Sequence, residues 1–505
     1  MTRPRTRLAT LVLGAAVATA AFAPEMAFAQ AKPEITIDLV NEPSSLDPHG
    51  QWNPDSYYVY RNVFDNVVTR DNEGNVVPEI ATEWTRLSDT EVEFTLRDDI
   101  TFHDGEPLTA EDVVYSIERI TDPEFGSPQL GQFDKITGAE ATGDHTVVLT
   151  TDGPYPVLLA QLVKLSVVPK HVVEEVGAEA FNLNPVGSGP YRFEEWQRGV
   201  SVTLSRYDDY WGEKGPFETA VFRAVPDAST RMADLQAGTA DLVVTLDSDQ
   251  ARQLETSPGV KPLIVQTERV AFLGLNTTKP PFDDPQARKA VALAIDKEGI
   301  VEGLLAGGEQ VVGELASPAH FGWVDGIEAY PYDPEQAKEL IEQAGAGGTE
   351  IRFATSPVFD QRIVQAVQQM LSEVGLNVSI DLTDMATYLQ KAQGPLADRP
   401  QISFGRWSCA CQDADGIMYP LLHSSSNWSR YQNTEMDALL EEGRSSLDEA
   451  TRLAAYEKAH RIVRDDVAIL PLYQAAIIYG ARDGLQWTPT ANESLFLNRM
   501  SWQGE

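Results

Sequence analysis

Strand patterns and helix patterns alternate along this 505-residue chain without a fixed period. Residues 91–97 alternate polar and apolar side chains, which is typical of a half-buried strand. Asp284-Pro285 and Asp333-Pro334 each place a capping Asp before a Pro at the first helical position, which indicates the start of a helix. The mixture excludes a repeat protein and predicts an α/β or α+β class.

Further elements follow from the same patterns. Thr109 caps a helix whose apolar side chains fall on one face. Helices are also predicted at 361–374, 435–444 and 449–464, and a strand at 377–382. Stretches rich in Pro and Gly lie at 184–190, 278–285 and 394–400, and we interpret them as crossings between lobes or as loops, not as flexible linkers.

The first 29 residues are typical of a secretory signal peptide. Arg3, Arg5 and Arg7 form the basic region, residues 8–23 are uncharged, and Ala27-Phe28-Ala29 is an A-x-A cleavage signal. An uncleaved N-terminal helix is the alternative interpretation. The prediction is a periplasmic protein that begins at Gln30, with no lipid anchor because no Cys stands near the cleavage site.

The chain is strongly acidic, with 39 Lys and Arg against 76 Asp and Glu and a net charge of −37. The first 29 residues carry three Arg and one Glu, so the mature chain carries −39. Such a charge excludes nucleic-acid binding and docking on anionic lipid, which need clustered basic side chains. It favours a soluble protein that does not adhere to other molecules.

Two cysteines are present, Cys409 and Cys411, with one residue between them. An oxidising compartment permits a disulfide between them, and two free thiols are equally compatible with the sequence.

No catalytic motif is complete. Ser188 lacks the Gly two positions earlier that a nucleophile elbow requires. Nucleotide-binding glycine loops and the H-E-x-x-H zinc motif are absent, and the seven His are scattered. We interpret His103-Asp104-Gly105 as a turn, not as a catalytic pair. A metal held by Asp413 and Asp415 near the cysteines is possible, but solvated or capping roles are favoured, so neither a cofactor nor an enzyme is predicted.

Several segments together resemble one family. Residues 77–84 lead through 93–97 into Phe102-His103-Asp104-Gly105-Glu106-Pro107-Leu108-Thr109-Ala110-Glu111-Asp112-Val113-Val114-Tyr115-Ser116. This order is similar to the signature of family 5 extracellular solute-binding proteins, the peptide/nickel class that serves ABC importers. Matching segments continue along the mature chain: Ser45-Leu46-Asp47-Pro48, Val186-Gly187-Ser188-Gly189-Pro190-Tyr191, Leu275-Asn276-Thr277 and Pro471-Leu472-Tyr473.

The resemblance implies an α/β clamshell of the type II periplasmic-binding-protein kind, with two lobes and an inserted subdomain. Lobe one would comprise 30–64, 187–272 and 480–505, the subdomain 65–186, and lobe two 273–479, with two crossing strands as the hinge. It also implies that a monomer encloses a peptide or small solute between the lobes and presents it to a membrane permease.

The resemblance also implies site residues, and here the chain departs from its pattern. Peptide-binding members carry Trp-x-x-Asp, whose Asp accepts the peptide ammonium, whereas this chain reads Trp407-Ser408-Cys409-Ala410. The Arg for the peptide carboxylate would fall near Ala354, where only Arg352 and Arg362 flank the position. A buried ammonium without a carboxylate costs several kcal/mol, so the predicted ligand is a modified peptide, an amino-acid conjugate or a sugar-derived compound.

Candidate ligand-binding residues are Trp407, Ser408, Cys409, Ala410, Glu42, Asn276 and Asp413. An ordinary dipeptide would require Asp413, Asp415 or Glu42 to replace the missing Asp. Arg406 is a weaker candidate for an anionic group, because strand alternation places it on the opposite face from Trp407. A secreted hydrolase and a periplasmic chaperone or sensory receptor are the alternative functions.

Overall fold

The computed structural model describes residues 1, 32–51, 53–305, 308–409 and 411–503. The predicted signal peptide, apart from Met1, and the candidate Ala410 lie outside the described residues. The described chain is a mixture of strands and helices, which confirms the predicted α/β class.

The strands are short except for two, β12 and β17. Their bounds are β1 Glu34–Leu39, β2 Val68–Arg70, β3 Val76–Pro78, β4 Ala81–Arg86, β5 Glu91–Leu96, β6 Ile136–Gly143, β7 Thr146–Thr151, β8 Tyr191–Gln197, β9 Ser201–Arg206, β10 Thr219–Ala224, β11 Leu242–Val243, β12 Val260–Leu275, β13 Gln310–Val311, β14 Glu350–Thr355, β15 Asn377–Leu382, β16 Ile402–Trp407, β17 Ile469–Arg482, β18 Leu485–Gln486 and β19 Ser501–Trp502.

The helices occupy the segments between these strands. Their bounds are α1 Pro54–Tyr60, α2 Ala110–Thr121, α3 Leu130–Phe133, α4 Leu158–Leu162, α5 Lys170–Leu183, α6 Ala228–Ala237, α7 Ser248–Glu255, α8 Pro285–Ala294, α9 Lys297–Leu304, α10 Pro334–Gln343, α11 Gln361–Glu373, α12 Met385–Gln393, α13 Asp415–Leu422, α14 Thr434–Ser445 and α15 Glu449–Asp466. None of these helices combines the length and the apolar character that a membrane crossing requires.

Local chemistry explains where several elements begin. The carboxylate of Asp284 accepts a hydrogen bond from the backbone N–H of Gln286, and that of Asp333 from Gln336, so both predicted caps are confirmed. Thr109 and Asp112 form a reciprocal capping box at the start of α2. In β5 the apolar side chains at 92, 94 and 96 are buried, as the alternation predicted.

One large sheet runs through the molecule in the strand order β15-β14-β16-β12-β17-β11-β1-β10-β9-β8, with β13 paired to β17. A separate antiparallel sheet has the order β4-β5-β7-β6. The large sheet has a parallel pair on each side of the antiparallel β12–β17 pair, β14 with β15 on one side and β1 with β10 on the other, and antiparallel β9 and β8 complete the second side.

The two long strands β12 and β17 pass from one half of the large sheet to the other. Near Val260, β17 lies beside β11, and near Val270, β12 lies beside β16. The register between them shifts between Gln266 and Val270. This break in regular pairing lies midway along both strands, which is where two halves of a sheet can rotate against each other.

Separate apolar cores accompany the halves. One core packs residues from β1, α1, β9, β10 and the C-terminal segment. A second core lies almost wholly between Val67 and Val167, around the antiparallel sheet. A third packs α8, α9, α11 and the strands β14 and β16, and a fourth packs α13, α14 and α15.

Residues far apart in sequence meet beside α1. The backbone of Gly187 and Gly189 lies directly against Val63, and a Cβ atom on Gly187 would lie 2.0 Å from the Val63 carbonyl oxygen. The side chain of Asn62 donates to the carbonyl of Leu495 at 2.9 Å and accepts from the N–H of Leu497 at 2.8 Å. The first core therefore needs the C-terminal segment for its polar groups to be satisfied.

Candidate functional site

A cavity of about 260 Å³ separates the region around 131–164 from the region around 407–444. Three of the predicted site residues, Trp407, Ser408 and Cys409, line it together. Lys164 faces them from the opposite wall, and Arg444 lies at the same wall as the predicted residues. A larger cavity of about 480 Å³, formed mainly by 295–332, contains none of the predicted residues.

Trp407 stands at the end of β16 and is fixed by two contacts. Its Nε1–H donates to the carbonyl oxygen of Gly416 at 2.9 Å. Its ring meets that of Trp428 edge to face, with centroids 5.0 Å apart. Since its polar atom is satisfied within the protein, the exposed part of the ring offers the cavity an apolar surface.

Cys409 and Cys411 are joined by a disulfide bond, with their Cα atoms 4.9 Å apart. The N–H of Gln412 donates to the carbonyl of Cys409 at 2.7 Å and closes a tight turn. Gln412 has a φ of +51°, in the left-handed region that a non-glycine residue seldom adopts. Of the two states that the sequence allowed, the structure therefore has the disulfide.

Asp413 is buried, and Nη2 of Arg452 lies 2.8 Å from each of its carboxylate oxygens. Asp415 pairs with Arg444 at 3.2 Å. Burial raises the pKa of Asp415 to about 6, and the charge of Arg444 opposes that rise. Both carboxylates are thus already partnered. No cluster of three or more His, Cys, Asp or Glu that could hold a metal ion occurs within the described ranges.

Glu42 lies against the turn between β8 and β9. Its carboxylate accepts from the N–H of Gly199 at 2.8 Å and from Trp196 Nε1 at 3.3 Å, and Arg198 is 3.4 Å away. These contacts occupy one carboxylate oxygen, and a role of Glu42 in ligand binding stays a prediction.

Asn276 follows β12 and is fully buried. Its side chain accepts from Thr278 at 2.7 Å and donates to the carbonyl of Leu396 at 3.2 Å. It therefore organises the turn after β12, at the end of the strand and away from the break in register. A role of Asn276 in ligand binding stays a prediction.

The expected arginine for a peptide carboxylate has no equivalent near Ala354, which is buried. Arg352 is exposed and donates to the carbonyl of Asp398 at 3.3 Å. Arg362 pairs with Asp360 at 2.6 Å. Neither flanking guanidinium is free of partners.

Arg406 behaves differently. Its register places it beside Ala271 and, across β12, Tyr473, on the face opposite Trp407. The side chain is exposed and makes no hydrogen bond or ion pair with any residue that the structure describes. Burial among neighbouring groups nevertheless lowers the pKa of its guanidinium, and Tyr473 opposes this shift.

Sequence reasoning missed a group of charged residues around β12. Arg269 pairs with Glu493 at 2.7 Å and donates to Ser408 Oγ at 3.1 Å. Burial raises the pKa of Glu268 to about 7 and lowers that of Lys164 to about 8, although their opposite charges partly offset both shifts. The available signal was Glu268-Arg269, a charged pair directly before the apolar second half of β12.

His103 supports the turn interpretation. The N–H of Gly105 donates to the carbonyl of Phe102 at 2.9 Å and closes the turn. The imidazole accepts from the N–H of Gly187 through Nδ1 at 3.3 Å and donates to the carbonyl of Gly189 through Nε2 at 2.9 Å. Burial lowers its pKa to about 4, so it is neutral at physiological pH. It holds two backbone segments together, and Ser188 donates to Asp65, not to a base.

The fold and the cavity define a two-lobed α/β protein whose lobes share a pair of strands and enclose a ligand site. The family model for bacterial extracellular solute-binding proteins, family 5 middle region, matches residues 75–429. The chain belongs to this family, as its sequence signature predicted.

Known proteins agree with this assignment. Heme-binding protein A of Haemophilus influenzae is 29% identical over 83% of this chain and 82% of its own. The periplasmic protein DppA of Helicobacter pylori, solved with the peptide STSA, is 25% identical with a TM-score of 0.80 and covers 93% of this chain and 98% of its own. AgaA of A. tumefacien R10, solved with agropinic acid, is 25% identical with a TM-score of 0.78 and covers 94% of this chain and 99% of its own.

DppA is an ABC transporter-associated periplasmic binding protein, and the family is one of solute-binding proteins. The chain is the substrate-binding component of an ABC importer, which captures a solute outside the cytoplasmic membrane for delivery to a permease.

Proposed function

We propose that the chain captures a small peptide-like or conjugated solute that carries a carboxylate or another anionic group. The binding of this solute does not depend on a free α-ammonium, so the site needs no carboxylate to hold one. The observation that carries the proposal is the charge of the cleft. Arg406 is a cation without a side-chain partner among the described residues, whereas the carboxylates predicted to hold an ammonium are partnered.

The three candidate carboxylates support the part of the proposal that concerns the α-ammonium. Asp413 is held by Arg452, Asp415 by Arg444, and Glu42 by Gly199 and Trp196. At Asp413 and Asp415, which are buried, a ligand ammonium would have to displace the existing arginine partner. That exchange leaves a guanidinium unpaired and is costly.

The basic side chains support the part of the proposal that concerns the anionic group of the solute. Arg269 is neutralised by Glu493, whereas Lys135, Lys164 and Arg444 line the cavity, and Arg406 is exposed on the face of β16 opposite Trp407. Burial raises the pKa of both Glu268 and Glu309 to about 7, which favours their neutral forms. A protein of net charge −37 therefore presents a locally basic site, and such a site attracts anions.

The remaining features of the proposal follow the family. Lobe one comprises 30–64, 187–272 and 480–505, the subdomain 65–186, and lobe two 273–479. The protein is exported by a cleaved signal peptide, acts as a periplasmic monomer, and meets its permease in the inner membrane. The acidic net charge leaves no role for nucleic acid.

Three matched ligands test the charge requirement: Ala-Ala, its N-acetyl derivative and its C-terminal amide. Acetylation removes the ammonium and amidation removes the carboxylate. Isothermal titration is expected to show that N-acetyl-Ala-Ala binds at least about tenfold more tightly than Ala-Ala, a difference of about 1.4 kcal/mol, and that the amide does not bind.

Native mass spectrometry of the protein from its own periplasm provides the second measurement. A single co-purifying anion at one-to-one stoichiometry supports the proposal. A ladder of ordinary peptide masses, or tight binding of unmodified Ala-Ala, would contradict it.

A further inference from the structure

The turn that carries the disulfide, here called the disulfide turn (residues 409, 411 and 412), touches the part of the molecule on the other side of the cleft. Cys411 is fully buried, and it packs in the apolar core that otherwise consists of residues between Val67 and Val167. Cys409 is partly buried against that same core and against the core of α13, α14 and α15. The disulfide thus joins two apolar cores that belong to different sides of the cleft.

A polar contact reinforces the apolar one. Arg70, at the end of β2, donates through Nη2 to the carbonyl oxygen of Cys411 and through Nη1 to the carbonyl oxygen of Gly74. Arg70 is buried, so its two bonds form where water does not compete for them. The side chain of Gln412 approaches the same hairpin, because a Cβ atom on Gly74 would lie 3.4 Å from Gln412 Oε1.

The shape of the disulfide turn depends on close packing of the sulfur atoms. A Cβ atom on Gly416 would lie 2.3 Å from Cys409 Sγ and 2.7 Å from Cys411 Sγ. The carbonyl of the same glycine accepts the hydrogen bond from Trp407. The bonded sulfur pair, Gly416 and the aromatic wall of the cavity therefore form one packed unit.

We propose that the Cys409–Cys411 disulfide is a positioning element for solute capture: it holds the turn in the shape on which the 67–167 core and Arg70 close. Reduction of the disulfide then loosens the closure of the cleft and makes the capture of the solute sensitive to redox state. The inference rests on the proposed function in one respect, namely that closing the cleft encloses the solute. It does not depend on the charge of that solute.

Reduction by a phosphine such as tris(2-carboxyethyl)phosphine breaks the S–S bond. The phosphorus supplies two electrons and becomes a phosphine oxide with the oxygen of water, and the protons of that water convert the two sulfurs into thiols. The sulfurs then move from bonding distance, about 2 Å, to non-bonded contact at about 3.5 Å or more. Gly416 and the buried core leave no room for this separation unless the disulfide turn changes shape.

Hydrogen–deuterium exchange without ligand tests the proposal, so the result is independent of which solute binds. The samples are the oxidised protein, the phosphine-treated protein, Cys409→Ser/Cys411→Ser, and Arg70→Met. We expect exchange at 67–74 and 411–416 to become about tenfold faster in all three altered samples, with α11 unchanged. Phosphine added to the double Ser variant is the matched control and should change nothing.

Small-angle scattering of the same samples should show a larger radius of gyration when the disulfide is absent. Unchanged exchange at 67–74 would overturn the proposal, because the turn would then not affect the opposite side. Faster exchange throughout the molecule, including α11, would also overturn it, since the disulfide would then be a general staple of the fold. The phosphine-treated wild type gives this answer even where a variant does not fold.

Discussion

The Nη2 atom of Arg452, on α15, lies 2.8 Å from both carboxylate oxygens of Asp413, and both side chains are buried. This pair anchors the segment after the disulfide turn to helix α15. It also removes Asp413 from the groups available to a ligand. The pair therefore stabilises the helices on which the candidate site is built.

Replacement of Arg452 should be strongly destabilising. Arg452→Met leaves a buried carboxylate without its partner and also removes the 2.7 Å hydrogen bond from Nε to the Gly443 carbonyl. We expect a loss of about 3–5 kcal/mol in the free energy of unfolding, measured by urea denaturation. Arg461→Met, which breaks an exposed pair with Glu457, should cost about 0.5 kcal/mol or less. Equal losses in the two variants would refute this assignment.

Arg406→Met should weaken solute binding without changing stability. The guanidinium has no side-chain partner among the described residues, so its removal leaves no buried group unpaired. A charge-assisted hydrogen bond to an anionic ligand is worth about 1.5–3 kcal/mol, so we expect an affinity roughly 10–100-fold lower by titration calorimetry with the co-purifying solute. Arg362→Met, whose partner Asp360 is on the same lobe, is the matched control and should bind normally. Unaltered affinity in Arg406→Met would remove Arg406 from the site.

His103 should contribute to loss of stability in acid. Burial lowers its pKa from 6.5 to about 4 in the folded protein, so below pH 6.5 the unfolded chain binds the proton more readily. Stability from this residue is therefore complete above pH 6.5 and is lost as the pH falls towards 4. His103→Gln keeps a donor for the Gly189 carbonyl but does not titrate. Between pH 8 and pH 5, the free energy of unfolding of the variant should fall by on the order of 1–2 kcal/mol less than that of the wild type. An equal fall in the two proteins, measured by urea denaturation at both pH values, would argue against this role.

Gly187→Ala should disrupt the packing of the 184–190 loop on α1. The added Cβ would meet the backbone of Val63 at 2.0 Å, and backbone cannot move aside as a flexible side chain can. We expect a loss of about 3 kcal/mol or more in the free energy of unfolding. Gly131→Ala places a methyl group on α3 with no atom within 4 Å, and it should be neutral or slightly stabilising. A tolerated Gly187→Ala would mean that the loop is less closely packed than the structure indicates.

Local features of the fold were predictable because they depend on neighbouring residues. Asp284 and Asp333 cap their helices through N–H groups two or three residues away, and 377–382 forms β15 as its alternation indicated. The family signature, which lies largely in one stretch from Val77 to Ser116, was equally accessible. Such patterns are complete within a short window of sequence.

The candidate site was less predictable because its side chains find partners far along the chain. Nothing near Asp413 in the sequence indicates that Arg452 neutralises it, and nothing near Glu42 indicates the N–H of Gly199. Arg406 was judged weak because it faces away from Trp407, yet its guanidinium is exposed and has no side-chain partner in the described part of the chain. The alternation of side chains along a strand shows which face of the sheet a residue lies on. It does not show which residues cover that face.

The hydrogen bonds of Asn62 to Leu495 and Leu497 have a consequence for how the molecule is made. A ribosome delivers α1 long before it delivers the segment that satisfies this amide, and β1 likewise waits for β17 on the far side of β11. The earliest residues therefore cannot complete their packing during synthesis. The connectivity of the chain thus delays complete folding until its last residues have been made.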